Sequence, residues 1–482
     1  MIGRMKRALL PFAAALLLLG ASKSAQAALC NQDPNVSTFK NCNITDVTTL
    51  NTAFAQADAD PANTYNLYLA KKTYVLTKTL NLTQGAIYLY GERGGAFSTA
   101  NQYVLDGAAK FQIFSVIAKS SSVYPYLSVV GVTAQNGANV SPIGRGGCII
   151  AQGGEVDLQE AVVQNCHSVG YGGGIDADGG SFVLMDTSIV QNNYNDSAKD
   201  PIKGSCGGGQ FTAGGGFSVV AGGSAAVYRS SIISNRGCRG GGFDLEGGSL
   251  TVANSTIAQN TGVMRGGAFR VLDASSSFSF LFNTIVENKS GTKSCGSPGS
   301  SICTADPNGA AGIAFDSFTG GTAELRGNII AYNTIDFYNG NHQTGFASLR
   351  DCDTFFNTNL NIYNNSPYFQ YSTNVITFGG NCNLTNGWWG VFSSSTFGDV
   401  TTLGLNHMAN ATCAQSVGGS LPAYKPLSTA FFLGQYGLHD GSNGGTTTGA
   451  PAVSDQRGYG RNDESHGLRC DVGSYQLHGG AP

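Results

Sequence analysis

The sequence predicts an all-β solenoid, a parallel β-helix with three short strands per rung. Three observations predict it. First, six stretches repeat one phrase: a glycine pair or triplet, two short apolar strands, then Ser-x-Ile-x-x-Asn. Second, the closing asparagines Asn165, Asn192, Asn235, Asn260, Asn288 and Asn333 recur every 25 to 28 residues, or after 43 and 45 where extra residues intervene. Third, side chains alternate within each copy, so that Phe243 and Leu245 point one way and Asp244 and Glu246 the other. Such self-similarity marks stacked units, none of which buries a core alone. A propeller blade needs about 40 residues and four strands, which this spacing does not supply.

The elements follow in order. In residues 1–27, Arg4, Lys6 and Arg7 precede the apolar run 8–19, and Ala25-Gln26-Ala27 offers a small-residue cleavage site. This reads as a secretory signal peptide, with an apolar run too short to span a membrane. The protein is therefore expected outside the cell or at its surface, with no transmembrane segment in the mature chain. Residues 28–64 are expected to form an N-terminal cap. There Asp46 precedes Val47, Leu50, Phe54 and Ala57, the pattern of a short capped amphipathic helix that would cover the open first rung.

Residues 65–335 are expected to be the β-helix. Less regular early strands are predicted near 65–69, 73–76, 86–90, 111–118 and 127–132. The glycines supply positive φ at the corners, and the recurrent asparagines are expected to stack with shared amide hydrogen bonds. Two insertions, near 194–213 and 290–310, are rich in Gly, Ser, Asp and Lys and read as loops thrown out from the solenoid. Residues 336–482 are expected to hold irregular rungs and a closing segment.

Composition narrows the function. Glycine makes up 68 of 482 residues, about twice the usual share, and charged residues are 12%, about half of it. The net charge of −3 gives no electrostatic footprint for nucleic acid. Twelve cysteines in an exported chain point to disulfides. Proximity favours Cys30–Cys42 and Cys295–Cys303, with Cys206–Cys238 and Cys148–Cys166 as further pairs. They are expected to staple loops rather than build the core. No C-x-x-C pair occurs, so neither a metal nor a cofactor is expected.

The tail reads Asp455-Gln456-Arg457-Gly458-Tyr459-Gly460-Arg461 and then Cys470-Asp471-Val472-Gly473-Ser474-Tyr475-Gln476. This resembles the closing motif of bacterial secreted choice-of-anchor Q proteins, D-Q-R-G-x-x-R followed by C-D-I-G-A-x-E. The rungs resemble those of the same proteins and of polymorphic outer-membrane-protein-like β-helices. Ser474 and Gln476 depart from the motif. The resemblance implies an extracellular right-handed β-helix without an agreed chemistry.

Candidate sites lie along the outward positions of the first strand of each rung. Asp176, Asp178, Ser218, Val220, Asp244, Glu246, Arg270 and later Asp316 form a line. Asp176 and Asp244 would stand two rungs apart, roughly 10 Å, near the carboxylate separation of inverting glycoside hydrolases. A solvated strand face is the simpler expectation. Arg145, Arg239 and Arg265 precede the glycines and would either bind sugar carboxylates or neutralise Asp244 and Glu246. Trp388 and Trp389 are candidates for stacking on sugars. The expected function is a secreted, non-catalytic surface protein for adhesion or carbohydrate binding, its partner a polysaccharide or cell-surface glycan. The alternative is a polysaccharide lyase or glycoside hydrolase acting through Asp176, Asp178, Asp244, Glu246 and Arg270.

Overall fold

The computed structural model describes residues 29–91, 100–141, 144–195, 213–272, 275–281, 283–290, 311–316, 323–331, 333–338, 344–349, 352–354, 389–392 and 401–403. The expected signal peptide, the bulk of both insertions, most of 336–482 and the tail motif lie outside these residues.

Parallel sheets of many short strands build a solenoid-like all-β fold. One rung runs through the strands Phe243–Glu246, Ser249–Ala253 and Thr256–Ala258, then adds a fourth, Thr261–Arg265. The next rung repeats them at Phe269–Leu272, Ser277–Leu281, Thr284–Val286 and Lys289–Ser290, each paired in parallel with its counterpart. Three strands were expected here. The fourth forms where the chain after the asparagine stays extended beside the next copy and bonds to it.

The first strands stack into a nine-stranded sheet, called the front sheet below, from Leu80–Leu82 to Cys352–Thr354. Its inward column is Ile149, Ile175, Phe217, Phe243 and Phe269 in consecutive register. These residues belong to one continuous apolar core with Ala151, Ala177, Val219, Leu245 and Val271. Large and β-branched side chains suit this position because a pleated, buried face rewards them. The second and third strands of each rung stack within a 21-stranded sheet that closes the rest of the core.

Glycine governs the corner before each front strand. Gly240 has φ +60, and a Cβ on its neighbour Gly241 would lie 2.4 Å from the carbonyl carbon of Thr261 and 2.5 Å from Gly267 O. Only a residue without a side chain lets successive corners stack this closely.

An asparagine ladder runs up beside these glycines. Asn193, Asn235, Asn260, Asn288 and Asn333 are buried, and each Oδ1 from Asn235 onward accepts from the Nδ2 and the backbone N–H of the asparagine one rung below, at 2.8–3.1 Å. Their Nδ2 groups also donate to backbone carbonyls, as Asn260 does to Ile232 O at 2.8 Å. Asn165 and Asn192 were expected in this ladder but stand one residue earlier, at φ +55 and +54. That turn position favours asparagine for a different reason, its tolerance of left-handed backbone. The ladder place beside Asn165 is held by Cys166, whose N–H donates to Asn193 Oδ1 at 2.8 Å.

Upstream, Cys30–Gln32 pairs antiparallel with Phe39–Ile44, which pairs in parallel with Thr64–Leu69. The helix Val47–Ala59 starts at Asp46, whose carboxylate accepts from Thr49 N–H at 2.8 Å while Thr49 Oγ1 accepts from Asp46 N–H. It buries Leu50, Ala53, Phe54 and Ala57, and Phe54 stacks on Phe114 at 6.1 Å. The early strands are Thr64–Leu69, Lys72–Val75, Leu80–Leu82, Ala86–Tyr90, Tyr103–Asp106, Phe114–Ile117 and Tyr126–Val130, of which Tyr103–Asp106 was not expected. Leu80–Leu82 is too short to have been visible as a period.

Disulfides join Cys30 to Cys42 and Cys148 to Cys166. Cys238 is also disulfide-bonded. Cys206, Cys295 and Cys303 fall outside the described residues. Cys42, Cys148 and Cys166 are fully buried members of the apolar core. These two bridges therefore tie strands and a rung together, where loop staples were expected.

Candidate functional site

The line of outward residues on the front sheet exists as a register column. Ile150, Asp176, Ser218, Asp244, Arg270 and Ala314 are successive partners, and beside them run Gln152, Asp178, Val220, Glu246, Leu272 and Asp316. Asp176 and Asp244 are separated by two strand spacings, about 10 Å. Strand alternation turns these residues away from the core. They are nevertheless not a solvated face: Asp176, Ser218 and Asp244 are 0% exposed, Arg270 2% and Asp178 4%. Among the described residues, Arg145 and Tyr171 reach over this face.

Both come from one place in the repeat, the residue before the first glycine. Arg145, Tyr171, Ala213, Arg239 and Arg265 occupy it in turn, and the glycine after each of the first four donates to the carbonyl of the next residue in the series. The Arg145 guanidinium lies 5.0 Å from the centre of the Tyr171 ring. Its Nη1 donates to Asp178 Oδ2 at 2.6 Å, and its Nε sits 2.8 Å from Asp176 Oδ2, a charge contact without hydrogen-bond alignment. Ser218 donates its hydroxyl to the other Asp176 oxygen. One rung further, Arg270 Nη1 donates to Asp244 Oδ1 at 2.9 Å and stands 3.9 Å from Glu246 Oε2. Tyr171 spans two strands, its hydroxyl 3.4 Å from Glu246 Oε2.

Electrostatics follow from this enclosure. Burial pushes the Asp176 carboxyl up to about 6, against the opposing pull of Arg145 and the Ser218 hydrogen bond. Asp244 rises to about 7, again through burial, with Arg270 pulling down and Glu246 pushing up. Arg239 lowers it slightly. Burial, aided by Glu246, also holds the Tyr171 phenol above its ordinary value. Asp244 Oδ2 is buried with no hydrogen-bond partner. Asp176 and Asp178 thus share Arg145, and Asp244 and Glu246 share Arg270, with both Asp176 and Asp244 out of water. Such groups can store a proton and brace neighbouring rungs. As arranged, Asp176 and Asp244 have no open side from which a substrate would reach them.

Arg239 and Arg265 are register partners, and Arg239 lowers the Asp244 pKa alongside Arg270, which donates to it from the front sheet itself. Arg145 pairs with Asp176 and Asp178. Trp388 lies outside the described residues, and Trp389 is described only as the start of the strand Trp389–Phe392. Sequence reasoning placed Ser218 in the line but missed Tyr171 as part of the cluster. The signal for Tyr171 was its place in the same repeat column as Arg145.

Among the described residues no group of three or more His, Cys, Asp or Glu side chains is arranged to hold a metal ion. No helix among them is long and apolar enough to cross a membrane. No family model matches the chain, and no curated protein or solved structure matches it.

Proposed function

We propose that this protein is an exported, non-catalytic surface protein whose stacked rungs present an extended face for adhesion or carbohydrate binding. One observation carries this reading. Among the described residues, the line of acid and base groups with catalytic spacing is largely buried and internally paired, Arg145 with Asp176 and Asp178, and Arg270 with Asp244 and Glu246. A catalytic pair must meet its substrate, and this pair meets its own arginines. In the same reading the stack is a right-handed β-helix, the helix Val47–Ala59 is its cap, and the tail motif belongs to a choice-of-anchor Q type protein.

The test is a polysaccharide panel scored twice, for retention of the protein and for release of reducing or unsaturated ends. Retention without release supports the proposal. Retention by neither cells nor any glycan overturns it.

A second reading rests on the carboxyls at Asp176 and Asp244, which burial holds near neutrality two rungs apart. In it the chain is a glycoside hydrolase or polysaccharide lyase. End-group release that Asp244→Asn abolishes would establish this reading over the first.

A further inference from the structure

A second face of the solenoid carries unabsorbed chemistry. On Ala86–Tyr90, Ile87 and Leu89 enter the core, so Tyr88 and Tyr90 point outward. Register sets Tyr68 beside Tyr90, Tyr126 beside Ala86 and Ser128 beside Tyr88. The small neighbours Ala86 and Ser128 leave the rings room to meet. The Tyr68 and Tyr90 rings are stacked at 5.3 Å, Tyr88 and Tyr90 lie 6.2 Å apart at an interplanar angle of 8°, and Tyr88 meets Tyr126 at 5.3 Å. Four tyrosines therefore form a row over three adjacent strands. Tyr68 at its end is 43% exposed, and Tyr124 is 52% exposed. Clustered aromatic surface of this kind marks a contact site more often than isolated exposed rings do.

The row ends at two carboxylates. Glu155 is the partner of Tyr126, and Asp157 the partner of Ser128. Tyr126 donates to Asp157 Oδ2 at 2.6 Å, while Asp157 Oδ1 is buried without a partner. Burial raises both acids, Asp157 raises Glu155 further, and no lysine or arginine among the described residues offsets either. Their charges also act on the Tyr124 phenol, which burial and then Glu155 and Asp157 hold above its ordinary value.

Charge complementarity selects the occupant. Ring faces and unmatched carboxylates both favour a cation. Tyrosine faces also accept the apolar side of a flat ligand while the hydroxyl stays wet. A uronate or sulfated chain would be repelled, and two copies meeting face to face would bring their carboxylates together. We propose that the strip of Tyr68, Tyr88, Tyr90, Tyr126, Glu155 and Asp157 binds a polysaccharide of amino sugars with free, protonated amines. The sugar rings lie on the tyrosines and the ammonium groups meet Glu155 and Asp157. This rests on the carbohydrate-binding reading above and assigns it a site.

The test is calorimetric titration of the mature chain with glucosamine oligomers, N-acetylglucosamine oligomers, oligogalacturonate and polylysine. Glucosamine oligomers are expected to bind tightest. Glu155→Gln with Asp157→Asn should weaken them by about tenfold or more, and Tyr88→Ala by about fivefold, with circular dichroism unchanged. Equal binding of the N-acetylated oligomers, tighter binding of polylysine, or self-association abolished by Tyr88→Ala would each overturn the assignment. Binding of another glycan undiminished by these variants would overturn this site and leave the proposed function standing. Failure to bind any glycan, on the full panel, would remove both.

Discussion

Arg270 and Asp244 face each other across one strand spacing, 2.9 Å apart, with both side chains out of water on the outward side of the sheet. A buried pair is costly to assemble and more costly to break, because the surviving charge keeps its desolvation penalty without its partner. Arg270→Met is therefore expected to destabilise the fold by about 3–5 kcal/mol. Arg270→Met combined with Asp244→Leu should recover most of that loss. Chemical unfolding of the three proteins checks this. A double variant as unstable as the single one would mean the pair acts through packing.

The same enclosure makes stability depend on pH. Asp176 and Asp244 have folded pKa values of about 6 and about 7, above the ordinary 3.8. A carboxyl raised on folding binds its proton more tightly in the folded state. Its stabilising contribution is full below the unfolded value and is lost as pH rises through the folded one. The window is therefore about pH 4 to 7, and the unfolding temperature should be a few degrees higher at pH 5 than at pH 8. Asp244→Asn should remove the larger share of that difference. A flat profile in the unsubstituted protein would show that solvent reaches these groups.

The asparagine corner separates two roles that look alike in the sequence. Asn260 accepts from two groups of Asn235 and donates to Asn288 Oδ1 and Ile232 O, all in the interior. Asn260→Ala leaves several buried groups unpaired and should cost about 3 kcal/mol or more. Asn192, at φ +54, answers to backbone geometry instead. Asn192→Ala should cost about 1–2 kcal/mol, and Asn192→Gly should change little. Thermal unfolding of the three variants ranks them. Equal losses at both positions would refute the division.

Where the sequence was legible, the information was local and periodic. The glycine corners, the inward column from Ile175 to Phe269 and the capped helix at Asp46 each follow from short spacings. The one-residue offset at Asn165 and Asn192 was not legible, because left-handed turns and amide ladders both favour asparagine. Nor was the burial of Asp176 and Asp244. Alternation tells which side of a strand a residue takes, whereas exposure depends on what reaches over it, here Arg145 and Tyr171. The tyrosine row was hidden for a related reason. Tyr68, Tyr88, Tyr90 and Tyr126 fall in the irregular early rungs, and only register brings them together.

The Cys148–Cys166 bridge takes the place of a repeat contact. In the next three rungs a glycine fills the position of Cys148, and the ladder asparagine packs against it. A Cβ on Gly174, Gly216 or Gly242 would lie 3.0, 2.9 or 3.2 Å from the Nδ2 of Asn193, Asn235 or Asn260. Where that asparagine is absent, Cys166 stands instead and bonds to Cys148, 18 residues earlier. The bond closes one rung across the core and should contribute about 3 kcal/mol. Both residues are 0% exposed, whereas Cys30 is partly exposed at the edge of the antiparallel strand pair. A thiolate must reach a disulfide to reduce it. Under native conditions Cys30–Cys42 should therefore open first, with the β-signal retained, and Cys148–Cys166 only as the rungs unfold. Timed reductant exposure, alkylation and peptide mass analysis alongside circular dichroism would follow both bonds. Early alkylation of Cys148 in a protein that keeps its full β-signal would show that this rung opens on its own, without the rest of the stack.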